Sequence, residues 1–296
     1  MDIIKTIFKE IDVTWRIIKN DYNTTLIPIT TYFIFSYCQR LNFTFSAILS
    51  VFVISITYGI SYIVPFCISN QVQGIEEDKL EKPYRPLACG LITINGAIKR
   101  YLIWSLICMC LSWKMGVMKW SGLWIMVTIF HNFLGGDKNF LTKNVLCMTL
   151  GTAAQFGAAW GTFHLEMSQY HQLWMWVTSI WIGVMANIQD FRDIEGDLKS
   201  HRRTLPIIFG IYSRPIMSVI TIFAGLILCK LLYQFKSYGL AIYINIGIFI
   251  WHLVLAGRIL LTRCQKSDNI TYKYHLSFMY CTIVMSSFIF LKNPIC

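Results

Sequence analysis

Charge is what this 296-residue chain is short of: 14% of it is Asp, Glu, Lys or Arg, against 55% hydrophobic residues. That balance excludes an ordinary soluble domain and describes a polytopic membrane protein. Acid is the scarcer sign, with 15 residues against 26 basic ones and a net charge of +11. The cations lie between apolar segments and form no basic domain or stripe, so nucleic acid is not expected as a partner. The ten cysteines include no C-x-x-C pair and no Cys…His spacing. Cys108 and Cys110 sit two apart in an apolar stretch, and terminal Cys296 is not part of a C-a-a-X box. Neither a disulfide framework nor zinc is expected, and the thiols read as small membrane-buried hydrophobes. The amino terminus lacks the compact apolar run of a cleaved signal peptide. No repeat, linker or low-complexity tail is visible, so residues 1–296 are read as a single membrane domain.

The apolar residues are distributed in a telling way. In residues 1–20, Ile3, Ile4, Ile7, Phe8, Ile11 and Trp15 recur at helical spacing, with Lys5, Lys9, Arg16 and Lys19 between them. This pattern predicts an amphipathic helix lying on a membrane surface. Nine apolar segments follow, at approximately 22–38, 44–69, 96–113, 116–133, 144–162, 171–190, 206–229, 238–261 and 274–292. Each is a candidate to cross a hydrocarbon core of about 30 Å. The first is short and interrupted by Pro28, and the third and fourth must form a tight hairpin. With a cytoplasmic amino terminus, only Arg40, Lys114, Lys119, Lys230, Lys236 and Lys292 fall on the far side, and the other 20 of the 26 basic residues are cytoplasmic.

Two charged stretches close apolar segments. One runs from Asn187 through Asp190, Asp193 and Asp197 to Lys199, Arg202, Arg203 and Pro206. On a helix the three aspartates stand at i, i+3 and i+7 and share one face. Three anions so placed repel one another unless a cation sits among them, and an all-oxygen donor set suits Mg²⁺ rather than zinc. The basic residues that follow suit a phosphate. A solvated loop is the alternative reading of such a run. A second stretch weighs against it: Asn70, Gly74, Glu76, Glu77, Asp78, Lys79, Glu81, Lys82 and Arg85 also follow a long apolar segment, acids first and cations after.

Asn70 to Leu87 and Asp190 to Gly210 resemble the two aspartate-rich motifs of the UbiA superfamily of intramembrane prenyltransferases, whose first motif usually reads N-D-x-x-D-x-x-x-D. The likeness extends to the Lys82-Pro83-x-Arg85-Pro86 and Arg203-Thr204-Leu205-Pro206 tails. Gln71 stands where the superfamily has its first aspartate and Gly74 where it has the middle one. In this the chain looks most like the fungal branch that contains membrane-bound terpene cyclases. The resemblance implies an all-α, nine-transmembrane-helix bundle in the endoplasmic reticulum, with Mg²⁺ and an isoprenyl diphosphate, farnesyl or geranylgeranyl, bound on the cytoplasmic side. An acid at membrane depth costs about 2.5–3.5 kcal/mol, so both motifs must line one polar cavity. Asn70, Asp78, Asp190, Asp193 and Asp197 are the expected metal ligands, with the four aspartates taken as catalytic. Glu77, within about 20° of Asn70 around a continuous helix, is expected to serve the face that Gly74 leaves empty. Lys82, Arg85, Lys199 and Arg203 would hold diphosphate oxygens. Lys79 and Arg202 would do the same or face lipid headgroups.

The remaining polar features are read more plainly. His131 to Asn144 contains Gly-Gly-Asp-Lys, which is turn chemistry, although Asp137 or Lys143 could reach the diphosphate. His164, Glu166 and His171 share no helical face and are taken as solvated loop residues. Aromatic residues make up 15% of the chain, and some of them could present π-faces to a carbocation, but the sequence does not choose which. The functional expectation is a class I type terpene cyclase, with a prenyltransferase as the alternative and a transporter as a minor one. The basic-residue split predicts that Asn70–Arg100 and Asp190–Pro206 share the cytoplasmic face. Single cysteines introduced into the two loops should react equally with an impermeant reagent in sealed vesicles, and opposite accessibility would rule out a shared cavity.

Overall fold

The computed structural model describes residues 2–40, 44–235 and 239–291; Lys236, Lys292 and Cys296 lie outside them. The chain is a bundle of helices. In order they are α1 (Asp2–Ile18), α2 (Leu26–Cys38), α3 (Phe45–Gln73), α4 (Ile75–Glu81), α5 (Ile94–Lys114), α6 (Met118–Phe133) and α7 (Cys147–Thr162). Then come α8 (Gln169–Met185), α9 (Ile194–Lys199), α10 (Leu205–Phe209), α11 (Ser213–Phe235), α12 (Leu240–Leu261), α13 (Gln265–Ile270) and α14 (Ser277–Phe290). The only β pairing among the described residues is an isolated bridge between Asn139 and Arg203.

Each of the nine apolar segments coincides with a helix: α2, α3, α5, α6, α7, α8, the α10–α11 run, α12 and α14. Among the described residues, four stretches are individually long and apolar enough to cross a membrane: α3, α5, Leu205–Gln234 and α12. Two of the others, α7 and α14, are shorter because the helical path changes pitch before them. Leu141–Leu146 and Thr271–Leu276 are π-helical turns that run directly into α7 and α14. The expected hairpin lies between α5 and α6, where Gly116 adopts φ +70°.

The bundle presents apolar side chains outward as well as inward, as a lipid solvent requires. Leu102 and Leu106 on α5, Phe223 and Ile227 on α11 and Ile246 and Ile250 on α12 are exposed. Inside, where lipid and packed side chains replace water, several polar side chains are satisfied by partners within the protein. Tyr62 Oη donates to the Gly151 carbonyl at 2.7 Å, Trp124 Nε1 to the Tyr62 carbonyl at 2.8 Å, and Trp174 Nε1 to Ser287 Oγ at 2.6 Å. Helix α1 buries Val13, Ile17 and Ile18 against Ile63, Val64 and Cys67 of α3, and it exposes Ile4, Ile7, Phe8, Ile11 and Trp15 along the opposite side. The exposed stripe is the expected amphipathic face, and an Arg100–Glu10 ion pair clamps the helix to α5.

Three expectations about local structure are corrected. The first motif is not one helix: α3 ends at Gln73, Gly74 forms the junction at φ −98°, ψ 24°, and α4 begins anew. Glu77 is therefore aimed by α4 and not by continuation of the Asn70 face. The second motif is broken too, into a 3₁₀ turn over Ala186–Phe191 and the short α9. Asp190, Asp193 and Asp197 are therefore placed by this bend and not along one helical stripe. His171 is no solvated loop residue: it is buried in the first turn of α8, where Ser168 caps the helix and bonds Nδ1 at 2.6 Å while the ring lies 4.3 Å from that of Trp160.

Helices α7 and α8 approach closely at Gly183. A Cβ there would stand 2.2 Å from Thr149 Oγ1 and 2.6 Å from the Val145 carbonyl oxygen, which is backbone and cannot yield. Small residues are how membrane helices reach such contact. Gly183→Ala should therefore destabilise the fold by about 1–3 kcal/mol, as for an overpacked core, and lower the thermal midpoint in detergent. An unchanged midpoint would show that α8 can shift without cost.

Candidate active site

At one end of the bundle the α3–α4 junction, the turn between α8 and α9 and the π turn before α7 surround a cavity of about 160 Å³. Its mouth is ionic. Arg85 Nη1 donates to both oxygens of Asp78, at 2.8 and 2.9 Å. Arg202 Nη1 contacts both oxygens of Glu77, at 3.0 and 2.8 Å, and Asp197 at 3.1 Å, while its Nε donates to Asp137 at 3.0 Å. Lys143 Nζ lies 2.8 Å from Asp190 and 3.3 Å from Asp197. Asp193 is held by Arg192 at 3.2 Å, with Lys82 at 3.8 Å.

The residues expected from the sequence divide on this geometry. Asn70, Glu77, Asp78, Asp193, Asp197, Lys82, Arg85 and Arg202 line the cavity. Asp190 stands just behind it, fully buried, with Asn144 Nδ2 donating to its second oxygen at 2.8 Å. Lys79 points away and pairs with exposed Glu76 at 2.7 Å. Lys199 borders a separate shallow groove beside Glu76. Arg203 contributes its backbone, which bridges to Lys138 and Phe140.

Other residues at the mouth were not expected, or were left open. Lys143 is the cation that joins two of the aspartates, and Asp137 is the third carboxylate on Arg202. Asp21, Arg192, Gln189 and Tyr272 also line the cavity, and the Arg192 guanidinium lies 4.3 Å from the Tyr272 ring centre. Arg192 could have been found inside the second motif, between two of its acids. Asp21 carries no such signal, because it sits alone in the turn after α1.

Burial pushes the Asp193 carboxyl up, but Arg192 and Lys82 outweigh it and hold the group at about 2, so it is anionic at neutral pH. Asp190, beyond the end of α8, is pushed by burial up to about 6 even with Lys143 against it. Such oxygen donors suit Mg²⁺. Among the described residues, however, no three His, Cys, Asp or Glu side chains converge as a metal cluster. The acids are matched instead by arginine and lysine, which a divalent cation would have to displace.

Below the mouth the cavity turns apolar, between Phe66, Trp124, Met148, Gly151 and Ile182. Tyr62, Trp124 and Phe66 form a stack, with the Tyr62 and Trp124 rings 4.6 Å apart and 5° from parallel and the Phe66 ring 5.1 Å from Trp124. A Cβ at Gly151 would lie 2.5 Å from the Trp124 ring, so the lack of a side chain there admits the indole. Removing Lys143 should show how tightly the mouth is built. Lys143→Met leaves Asp190 without its cation and should cost about 3–5 kcal/mol, as for other broken buried pairs. Adding Asp190→Asn should recover much of that in a thermal melt. Equal midpoints for wild type and Lys143→Met would remove the pair from any structural role.

Comparison with known proteins agrees with this architecture. The diterpene cyclase eriG of Hericium erinaceus is 28% identical over 291 residues, covering 96% of this chain and 90% of the relative. The somaliensene A/B synthase of Streptomyces somaliensis is 28% identical over 277 residues, covering 91% and 90%. The solved structure of a UbiA homologue from Archaeoglobus fulgidus bound to GPP and Mg²⁺ superposes with a TM-score of 0.68 at 12% identity, covering 93% of this chain and 99% of that one. The bundle is thus a UbiA fold and the chain an integral membrane enzyme. With residues 26–282 matching its description, the chain belongs to the UbiA prenyltransferase family.

Proposed function

We propose that this enzyme ionises an isoprenyl diphosphate, farnesyl or geranylgeranyl, and cyclises the resulting allylic cation without an acceptor. The observation that carries the reading is the continuity of one cavity from an ion-dense mouth to an aromatic, apolar interior. A diphosphate head and a hydrocarbon tail would each meet their own environment in it. The likeness to the diterpene cyclase eriG and the somaliensene synthase supports cyclisation, as do Gln71 and Gly74 in the first motif.

In this reading Lys82, Arg85, Lys143 and Arg202 orient the diphosphate and neutralise the charge that develops on it as the carbon–oxygen bond breaks. Lys79, Lys199 and Arg203 stand outside the cradle. Asn70, Glu77, Asp78, Asp190, Asp193 and Asp197 would hold Mg²⁺, directly or through water, and when bound it would supply Lewis-acid stabilisation of the leaving group. Phe66 and Trp124 wall off water from the cation and give it an aromatic lining. The whole chain is one membrane domain, with its mouth on the cytoplasmic face of the endoplasmic reticulum.

The test is an incubation of purified enzyme with Mg²⁺ and one diphosphate at a time, followed by mass analysis of extracted products. A cyclic hydrocarbon or its alcohol is expected without any acceptor, and none after chelation. Asp193→Ala should lower turnover by roughly 10²–10³-fold, as for loss of a group that stabilises transition-state charge. Product formation only after an aromatic acceptor is added would make the enzyme a prenyltransferase instead.

A further inference from the structure

Met148, Gly151, Thr152 and Gln155 stand at i, i+3, i+4 and i+7 on α7, so a single helical face walls the cavity. Lys143 marks the ionic mouth, and Gln155 lies twelve residues further along, roughly 18 Å by helical rise. Polar groups are few at that depth. Thr152 is engaged, its Oγ1 accepting a hydrogen bond from Tyr280 Oη at 3.4 Å. Gln155 differs. It is 5% exposed and lines the cavity, and its Oε1 has no hydrogen-bond partner among the described residues. An unpaired buried carbonyl is destabilising, and a leucine or methionine of similar size would avoid that cost.

The chemistry proposed for the cavity gives such an oxygen a use. When the diphosphate departs with the bonding electron pair, positive charge first rests on carbon beside the mouth, near the anions. Ring closure then moves it: the π electrons of a distal double bond form the new carbon–carbon bond, and the charge passes to the other carbon of that double bond. That carbon belongs to the tail, far from the diphosphate. In a dry interior a fixed dipole acts with little screening.

We propose that Gln155 is a catalytic residue of the cyclisation, its carboxamide oxygen facing the cationic carbon formed in the apolar half of the cavity. It forms no bond and takes no proton. Its lone pairs stabilise the charge, and the broad terminal torsion of glutamine lets the oxygen turn to it. This rests on the cyclase reading.

The experiment compares the products of wild type and Gln155→Leu, each supplied with Mg²⁺ and a single diphosphate, alongside inorganic diphosphate release and thermal midpoint. Diphosphate release should persist in the variant, while the share of the main cyclic product falls roughly tenfold in favour of acyclic or less cyclised products, as expected for loss of one dipole at a developing charge. Gln155→Asn, which keeps a carbonyl, should stay closer to the wild-type mixture. If Gln155→Leu does not fold, Gln155→Met is scored by the same criteria. An unchanged product mixture overturns the inference. So does complete loss of diphosphate release in a folded variant, which would place Gln155 in ionisation. Absence of any cyclic product from wild type would instead refute the cyclase reading.

Discussion

Carboxylates cannot be left bare at the end of a membrane bundle, and the architecture of the mouth follows from that constraint. Bare charge is costly there, so most of its acids are answered by a nearby cation, several of them carried on another element. Arg202 ties α4 to α9 through Glu77 and Asp197 and reaches the loop after α6 through Asp137. Lys143 fastens the start of α7 to the turn after α8. These ties do what hydrophobic burial does in a soluble core, because between lipid-facing helices burial offers little driving force. The close approach at Gly183 has the same purpose at one remove: it sets the spacing of α7 and α8, and hence the reach from Lys143 to Asp190.

Much of this was legible from the chain. Apolar segment length located the long helices after α1, since lipid tolerates few charges within a span, and amphipathic spacing located α1. The scarcity of acid made its clustering conspicuous, and the two motifs do meet in one cavity. What the pattern could not supply was the bend in each motif. Reasoning from helical spacing assumed continuity through Gly74 and through Ala186–Phe191, and both break. Asp193 and Asp197 therefore reached the cavity, and Asp190 the layer just behind it, by a route that spacing did not describe. Asp21 and Lys143 were harder still, as their roles depend on which loops the tertiary fold brings together. His171 was misread because a histidine near a loop looks solvated until the cap that starts its helix is seen.

The aromatic residues illustrate a different limit. With so many rings in the chain, composition could not say which would serve chemistry and which would pack. The structure separates them by exposure to the cavity: Phe66 and Trp124 reach it, whereas Trp174 is sealed in the core with its indole nitrogen on Ser287. Gly151 accounts for part of that choice by leaving room for the Trp124 ring.

Helix α1 has a consequence for how an amphiphile could arrive. Its exposed stripe of Ile4, Ile7, Phe8, Ile11 and Trp15 is an apolar face of the kind that lies where headgroups give way to acyl chains, and the turn that follows it carries Asp21 into the mouth of the cavity. A helix with such a face would work as a float, setting the waterline of the protein near the end of the bundle where the cavity opens. A molecule with an ionic head and an oily tail already rests astride that same plane.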